Sequence, residues 1–353
     1  MQASLVGLDR EEIDALVREL GEPPYRAAQL FDWVQKKSAA DYDQMRNLPK
    51  SMRERLAERM PVRSSRVIER HPSDDGTVKL LVELIDGQRV ECVLIPEGER
   101  ATACISTQVG CGVGCIFCAS GADGVIRNMH AAEILEQVHH LEAEAALRLQ
   151  EQGKGSGRLT NVVVMGMGEP LHNVAPLVKA LKLLQHPEGI DLGSRRITVS
   201  TSGPSRGFEE FIKSGLRVKL AISLHAATDS IRKSLVPRGG SPGVAGLRRM
   251  AERWFEATRR DVTFEYVLIH GINDSDREAE RLADVCGRHF NVNLIPMNPV
   301  KFAPALHAPQ RQRTEHFAKI VESRGITVHL RRQRGDDVAA ACGQLRLSRD
   351  PGA

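Results

Sequence analysis

The apolar positions of this chain change period twice, dividing it into three stretches with different structural signatures. Up to about residue 62 they recur at helical spacings. Asp9-Arg-Glu-Glu12 opens a helix, Pro23–Pro24 ends it, and Tyr25 to Lys37 carries Ala28, Leu30, Phe31 and Val34. Asn47-Leu-Pro49 opens a third helix, with proline suited to a first turn. From Arg66 to Ile95 the pattern is that of strands. Val78-Lys-Leu-Leu-Val-Glu-Leu and Arg89-Val-Glu-Cys-Val-Leu-Ile flank Asp86–Gly87, a strong hairpin signal.

Beyond residue 100, short β-branched runs alternate with helical ones. Strands are expected at 102–106, 161–165, 196–200, 218–224, 262–268 and 293–296, and helices at 131–150, 174–184 and 277–288. This rhythm predicts an α/β fold with a parallel sheet and right-handed crossovers. Six such units are compatible with either a doubly wound sheet or an open, partial (β/α) barrel, and both place reactive groups at the C-terminal ends of strands. The expected organisation is a helical unit at 1–62, a β-hairpin extension at 63–100, the α/β unit at 101–345 and a tail at 346–353.

Polar and glycine-rich residues gather where the expected strands end. Cys111–Cys118 follows the first and Gly166-Met-Gly-Glu-Pro170 the second. Ser200-Thr-Ser-Gly203 ends the third, Ser223-Leu-His225 the fourth and Pro296-Met-Asn298 the sixth. Five such loops in succession imply a single pocket at one rim.

Composition narrows the function classes. The chain has 353 residues, 41% hydrophobic and 27% charged, the balance of an ordinary globular protein. No apolar run approaches the length of a membrane span. The opening residues contain acids and no apolar signal core, so a cytoplasmic protein that is not membrane-bound is expected. Seven cysteines then favour metal binding or catalysis over disulfides, which need an oxidising compartment. Net charge is +4, with basic residues clumped at Lys36–Lys37, Arg195–Arg196, Arg248–Arg249, Arg259–Arg260 and Arg331-Arg332-Gln333-Arg334. Such pairs read first as solvated helix faces, and they are compatible with a phosphate-rich partner.

The segment Cys111-Gly-Val-Gly-Cys115-Ile-Phe-Cys118 is the most chemically specific. Three thiolates in one loop under-ligate a cubane iron–sulfur cluster, which normally takes four, and so leave one iron open. With Cys104, the same residues spell a four-cysteine zinc site, although only Cys115–Cys118 has the CxxC spacing usual there. The spacing favours the open cluster. Read singly, other residues have plain alternatives. Cys342 suits a buried small hydrophobe, Glu91 a solvent-facing position at a hairpin edge, and His225 a structural histidine. Cys92 and Cys286 read as core thiols.

The cysteine loop, with Phe117 before its last cysteine, resembles the radical S-adenosylmethionine superfamily. Longer stretches carry the likeness to one family within it. They are ECVLIPEGERATACISTQVGCGVGCIFC at 91–118, GMGEPLHN at 166–173, SLHA at 223–226, LIPMNP at 294–299 and RGDDVAAACGQL at 334–345. These are similar to the RlmN family of dual-specificity RNA methyltransferases, as are YRAAQLFDWVQKK and Met45-Arg-Asn-Leu in the helical unit, which corresponds to that family's RNA-binding domain.

The resemblance implies a partial (β/α)6 barrel and methylation at C2 of adenine in 23S rRNA and tRNA. It implies a [4Fe–4S] cluster on Cys111, Cys115 and Cys118, and S-adenosylmethionine, two molecules per turnover, contacted by Gly168, Glu169, Ser200, Ser223, Leu224, His225 and Asn298. Gly166 and Gly168 let the backbone approach the ligand, and Glu169 offers a carboxylate to the cofactor's ammonium. Cys342 would accept a methyl group, and a deoxyadenosyl radical would then activate it for addition to the base. Cys104 would resolve the covalent enzyme–RNA adduct by forming a disulfide, and Glu91 would remove the C2 proton. A flavodoxin-type electron donor and a monomeric state are also implied. The C8-methylating relatives share these cysteines; Glu-Pro-Leu at 169–171 favours C2. Met297 stands where the family usually has tryptophan. A zinc-stabilised RNA-binding protein without catalysis is the alternative of a different class.

Overall fold

The computed structural model describes residues 4–345 apart from 154, 156, 332, 333 and 336. The expected tail at 346–353, with Arg332 and Gln333 of the basic run, lies outside the described residues.

Asp9 caps helix α1 (Arg10–Glu19) in a reciprocal capping box with Glu12, which satisfies two otherwise orphaned amides. Helix α2 (Tyr25–Phe31) continues through a π turn to Lys36, and α3 (Lys50–Arg59) starts directly after Pro49. Ile13 and Val17 of α1, Leu30 and Phe31 of α2, and Met52 and Leu56 of α3 are fully buried. This unit docks on the rest of the chain through the Glu12–Lys179 pair, the Phe31–His186 ring contact and one buried carboxylate. Glu136 accepts hydrogen bonds from the Ser4 hydroxyl and from the backbone amides of Ser64 and Ser65, at 2.9 and 2.8 Å.

Strands β1 (Arg66–Pro72), β2 (Val78–Glu83), β3 (Arg89–Glu97) and β4 (Arg100–Cys104) form an antiparallel meander. The β2–β3 hairpin turns at the Asp-Gly pair, where Gly87 takes φ +79°. After β4 come β5 (Gln108–Gly110) and β6 (Val125–Asn128), a two-stranded ribbon, then α4 (Ala131–Gln152) and β7 (Asn161–Val164). The alternation continues with α5 (Val174–Leu184), β8 (Ile197–Thr201), α6 (Ser205–Lys213), β9 (Lys219–Ser223), α7 (Asp229–Leu235) and α8 (Gly243–Thr258). It ends with β10 (Val262–Leu268), α9 (Asp276–Cys286), β11 (Asn291–Pro296), α10 (Arg311–Ser323) and β12 (Val328–Leu330).

Strand β4 pairs in parallel with β7, and every further pairing to β12 is parallel, so six crossovers build the open (β/α)6 arc. The hairpin expected as an extension is part of the same sheet, whose order is β1-β2-β3-β4-β7-β8-β9-β10-β11-β12. The short β5, β6 and β12 were not expected: QVG, VIRN and VHL lack the continuous β-branched run that made the equally short β7, NVVV, legible. Within β8 the period of two sends Ile197 and Val199 into the core and Ser200 to the inner face. Cys92 and Cys286 are buried, as expected of core thiols. Among the described residues, no helix is long and apolar enough to cross a membrane.

Candidate active site

The cysteine loop is fixed from three sides by main-chain hydrogen bonds. Cys111 N donates to Gly124 O at 2.9 Å, Ile116 N to Leu235 O at 3.1 Å and Ala119 N to Gly343 O at 2.7 Å. The β5–β6 ribbon, the end of α7 and the C-terminal segment therefore hold it together. Cys111, Cys115 and Cys118 face one cavity of about 160 Å³. Burial is the main influence on all three thiols, pushing Cys111 up to about 12 and raising Cys115 and Cys118. Among the described residues, no three His, Cys, Asp or Glu side chains are grouped as one metal ion would need. The three thiols line one space, which suits a polynuclear cluster with one thiolate per iron. Cys104 lines a different cavity and not this one, which disfavours the four-cysteine zinc reading.

Gly168, Glu169, Ser200, Ser223, His225 and Asn298 line the cavity with the thiols. Leu224 does not: it is buried in the core, and its amide donates to Glu265 O at 2.9 Å. The two glycines serve packing more directly than ligand approach. A Cβ on Gly168 (φ +103°) would lie 2.6 Å from Gln108 Cβ, and one on Gly166 would lie 2.6 Å from Ser106 Oγ.

The Glu169 carboxylate is largely committed to the protein. Its Oε1 accepts from Thr201 Oγ1 at 2.6 Å and Leu171 N at 3.0 Å, and its Oε2 accepts from Ser202 N at 2.7 Å. That uses three of about four acceptor positions. One position is left over on a carboxylate that lines the cavity.

Ser200 and Ser223 stand side by side, their hydroxyl oxygens 3.4 Å apart. His225 takes φ +58°, its Nδ1 accepts from Val267 N at 3.1 Å, and its ring meets Phe117 edge-on with centroids 4.8 Å apart. Burial, helped by nearby Arg232, lowers its pKa to about 3, so the ring is neutral and carries its proton on Nε2. Met297, at the position usually held by tryptophan, is buried and fills the wall near Val267 and Ile295.

A second cavity, of about 300 Å³, contains Cys104, Arg331 and Arg334. Cys118, Met165, Asn298 and Cys342 line both cavities, so the two adjoin. Cys342 thus stands on the wall between the three-thiol space and Cys104. Its loop is stitched down by Asn298 Nδ2 donating to Cys342 O at 2.8 Å and Ser120 Oγ donating to Leu345 O at 2.6 Å. Cys342 is exposed to this chamber, and the protein packed around it nonetheless raises its pKa, opposed by Arg331. The buried-hydrophobe reading of Cys342 is thereby set aside. Cys104 is pushed up to about 12 by burial and by nearby Cys342.

Glu91 is buried rather than solvent-facing, because β3 is an interior strand between β2 and β4. Its Oε1 pairs with Lys79 Nζ at 2.9 Å, and Lys79 also donates to Ala339 O at 3.4 Å in the Cys342 loop. Glu91 lines neither cavity.

Three residues of the site carried no usable signal. Arg232, buried, donates to Ser223 O, Leu224 O and Ser202 O at 2.7, 2.6 and 2.8 Å, tying the ends of β8 and β9. Glu265 and Arg331 pair across the chamber at 3.5 Å. Arg331 opens a basic run that reads as a solvated face, Arg232 and Glu265 have unremarkable neighbours in sequence, and only the arc brings all three to the rim.

A parallel partial barrel with three thiols at its C-terminal rim defines a radical S-adenosylmethionine enzyme, and residues 105–283 match the profile of the radical SAM superfamily. Residues 3–62 match the profile described as ribosomal RNA large subunit methyltransferase N-terminal domain. A probable dual-specificity RNA methyltransferase RlmN of Symbiobacterium thermophilum is 43% identical over 344 residues, 97% of this chain and 91% of that one. The dual-specificity RNA methyltransferase RlmN of Solidesulfovibrio magneticus is 42% identical over 348 residues, 98% and 97% of the two chains. The crystal structure of a radical SAM methyltransferase from Sphaerobacter thermophilus superposes with TM-score 0.91 at 43% identity, covering 97% of this chain and 99% of that one. The chain belongs to the RlmN family of radical SAM methyltransferases.

Proposed function

We propose that this enzyme methylates C2 of adenine in 23S rRNA and tRNA through a methylated Cys342 and a covalent enzyme–RNA adduct. The observation that carries the reading is the place of Cys342 on the wall shared by the three-thiol cavity and the Cys104 cavity. Adenine C2 is an electron-poor carbon with no nucleophilic lone pair, so direct transfer from a sulfonium has little to act on.

Cys111, Cys115 and Cys118 would hold the [4Fe–4S] cluster, and Glu169, Ser200, Ser223 and Asn298 would contact S-adenosylmethionine. When bound, these groups supply a methyl group and one-electron chemistry, two molecules of S-adenosylmethionine per turnover. The remaining steps belong to the chain. Cys342 takes the methyl group as a thioether on the cofactor side. Once that carbon bridges Cys342 and the base, Glu91, paired with Lys79 at 2.9 Å, receives the C2 proton, and the odd electron left on the adduct would pass to the cluster that the three thiols would hold. Cys104 thiolate then attacks Cys342 sulfur. The S–S bond forms, the S–CH2 bond breaks, and its electron pair leaves with the carbon, which takes up a proton to become the methyl group. Lys79, the partner of Glu91, also donates to the Ala339 carbonyl in the loop that carries Cys342.

On this reading the enzyme works as a cytoplasmic monomer supplied by a flavodoxin-type reductant. The test is nucleoside analysis of RNA treated with the anaerobically reconstituted protein. 2-Methyladenosine is expected. 8-Methyladenosine would move the chain to the C8 chemistry, and a colourless zinc protein that leaves RNA unmodified would overturn catalysis altogether.

A further inference from the structure

Arg331 is the least expected member of the chamber. It follows β12, the last strand of the arc, and its guanidinium enters the cavity that contains Cys104 and Cys342. Its backbone is pinned by Arg331 N donating to Leu294 O at 2.8 Å. One terminal nitrogen lies 3.5 Å from Glu265 Oε1 and 3.8 Å from Met165 Sδ. Glu265 is fixed in turn, because Asn293 Nδ2 donates to the same oxygen at 2.8 Å. The cation is therefore held in place from two neighbouring strands, β10 and β11, in the cavity it shares with Cys104 and Cys342.

The geometry points to Arg331 as a positioning residue for the resolving step, holding its charge beside Cys104 so that the thiolate forms and attacks Cys342. This rests on the role proposed above for Cys104. Several groups face that sulfur. Cys92 lies on the adjacent β3, Cys342 is on the C-terminal loop, and the Met165 backbone faces it from the end of β7. Arg331 is the cation that lowers its pKa, against burial and Cys342, which raise it. Arg334 and Cys118 line the same cavity. A thiol in such a setting is inert unless a cation offsets desolvation.

The test is the rate at which iodoacetamide alkylates Cys104 in the cluster-loaded protein without RNA, read by peptide mass spectrometry at pH 8. Arg331→Gln should slow it roughly three- to tenfold, because alkylation follows thiolate fraction and one pKa unit is tenfold. Arg331→Lys keeps the charge and should stay close to the parent rate. A parental rate in Arg331→Gln overturns the proposal, as does equal slowing in both variants, which would mark a role of shape alone. A Cys104 that does not react in the parent protein overturns it as well. These readouts need no methylation, so they are independent of the RNA product analysis: absence of 2-methyladenosine from the parent enzyme would defeat the reading of the reaction and leave the alkylation result to stand or fall by itself.

Discussion

Asn298 donates its side-chain amide to the carbonyl of Cys342 at 2.8 Å, tying the loop after β11 to the C-terminal loop that carries the Cys342 thiol. Asn298 lines both cavities, so the bond sits where they adjoin. Asn298→Ala should cost about 1 kcal/mol of stability, the net worth of one such bond. Its larger effect should be on chemistry: the fraction of purified protein carrying a methyl group on Cys342 should fall severalfold. Unchanged methyl content by intact mass would show that the bond does not place the loop.

The two accessory cysteines should fail differently. Cys342→Ala should bear no methyl group and give no methylated RNA. Cys104→Ala should still load Cys342 and should accumulate RNA crosslinked to the protein, visible as a band of retarded mobility on a denaturing gel. Free methylated RNA from Cys104→Ala would remove its resolving role.

Gly168→Ala should be strongly destabilising. The substitution sets a β-carbon 2.6 Å from Gln108 Cβ at a φ of +103°, a region L-residues seldom enter. The combined strain and clash should cost about 2 kcal/mol or more, seen as a lower urea midpoint with an unchanged slope. Since β5 leads directly into Cys111, iron retention should fall with it.

Acid should loosen the docking of the helical unit. Burial and the Arg63 charge hold His139 well below its ordinary pKa, and burial, again with Arg63, lowers His140 to about 4. Both are neutral when folded and take up a proton near pH 6.5 when unfolded, so the unfolded state binds more protons. Their stabilising contribution is full above about pH 6.5 and is lost as pH falls towards 4. Each contributes a slope of up to about 1.4 kcal/mol per pH unit. Urea unfolding at pH 7 and pH 5.5 should reveal the loss, and His140→Gln should flatten it; equal slopes in parent and variant would contradict the assignment.

What was legible in the sequence follows from local rules. Helix α5 and strand β10 run at the bounds their periodicity predicts, because eleven and seven residues give a repeating pattern room to register. The Asp9 cap and the Asp86–Gly87 hairpin were legible for the same reason: their signals lie within a few residues of the structure they specify. Glu91 was misread as solvent-facing, since alternation shows which residues share a face but not whether another strand covers it.

The sequence alone determined the α/β rhythm, the rim as the reactive end, and the three-cysteine loop with its open ligand count. Those are set by neighbours along the chain. Only the tertiary structure decided which distant residues share a chamber. It brought Cys342 between Cys104 and the three thiols, and paired Glu91 with Lys79. It also set Arg331, just after the last strand, against Glu265 and in the cavity of Cys104 and Cys342. The physical reason is that six crossovers and a returning loop bring these side chains together, and no spacing in sequence encodes the distance across an arc.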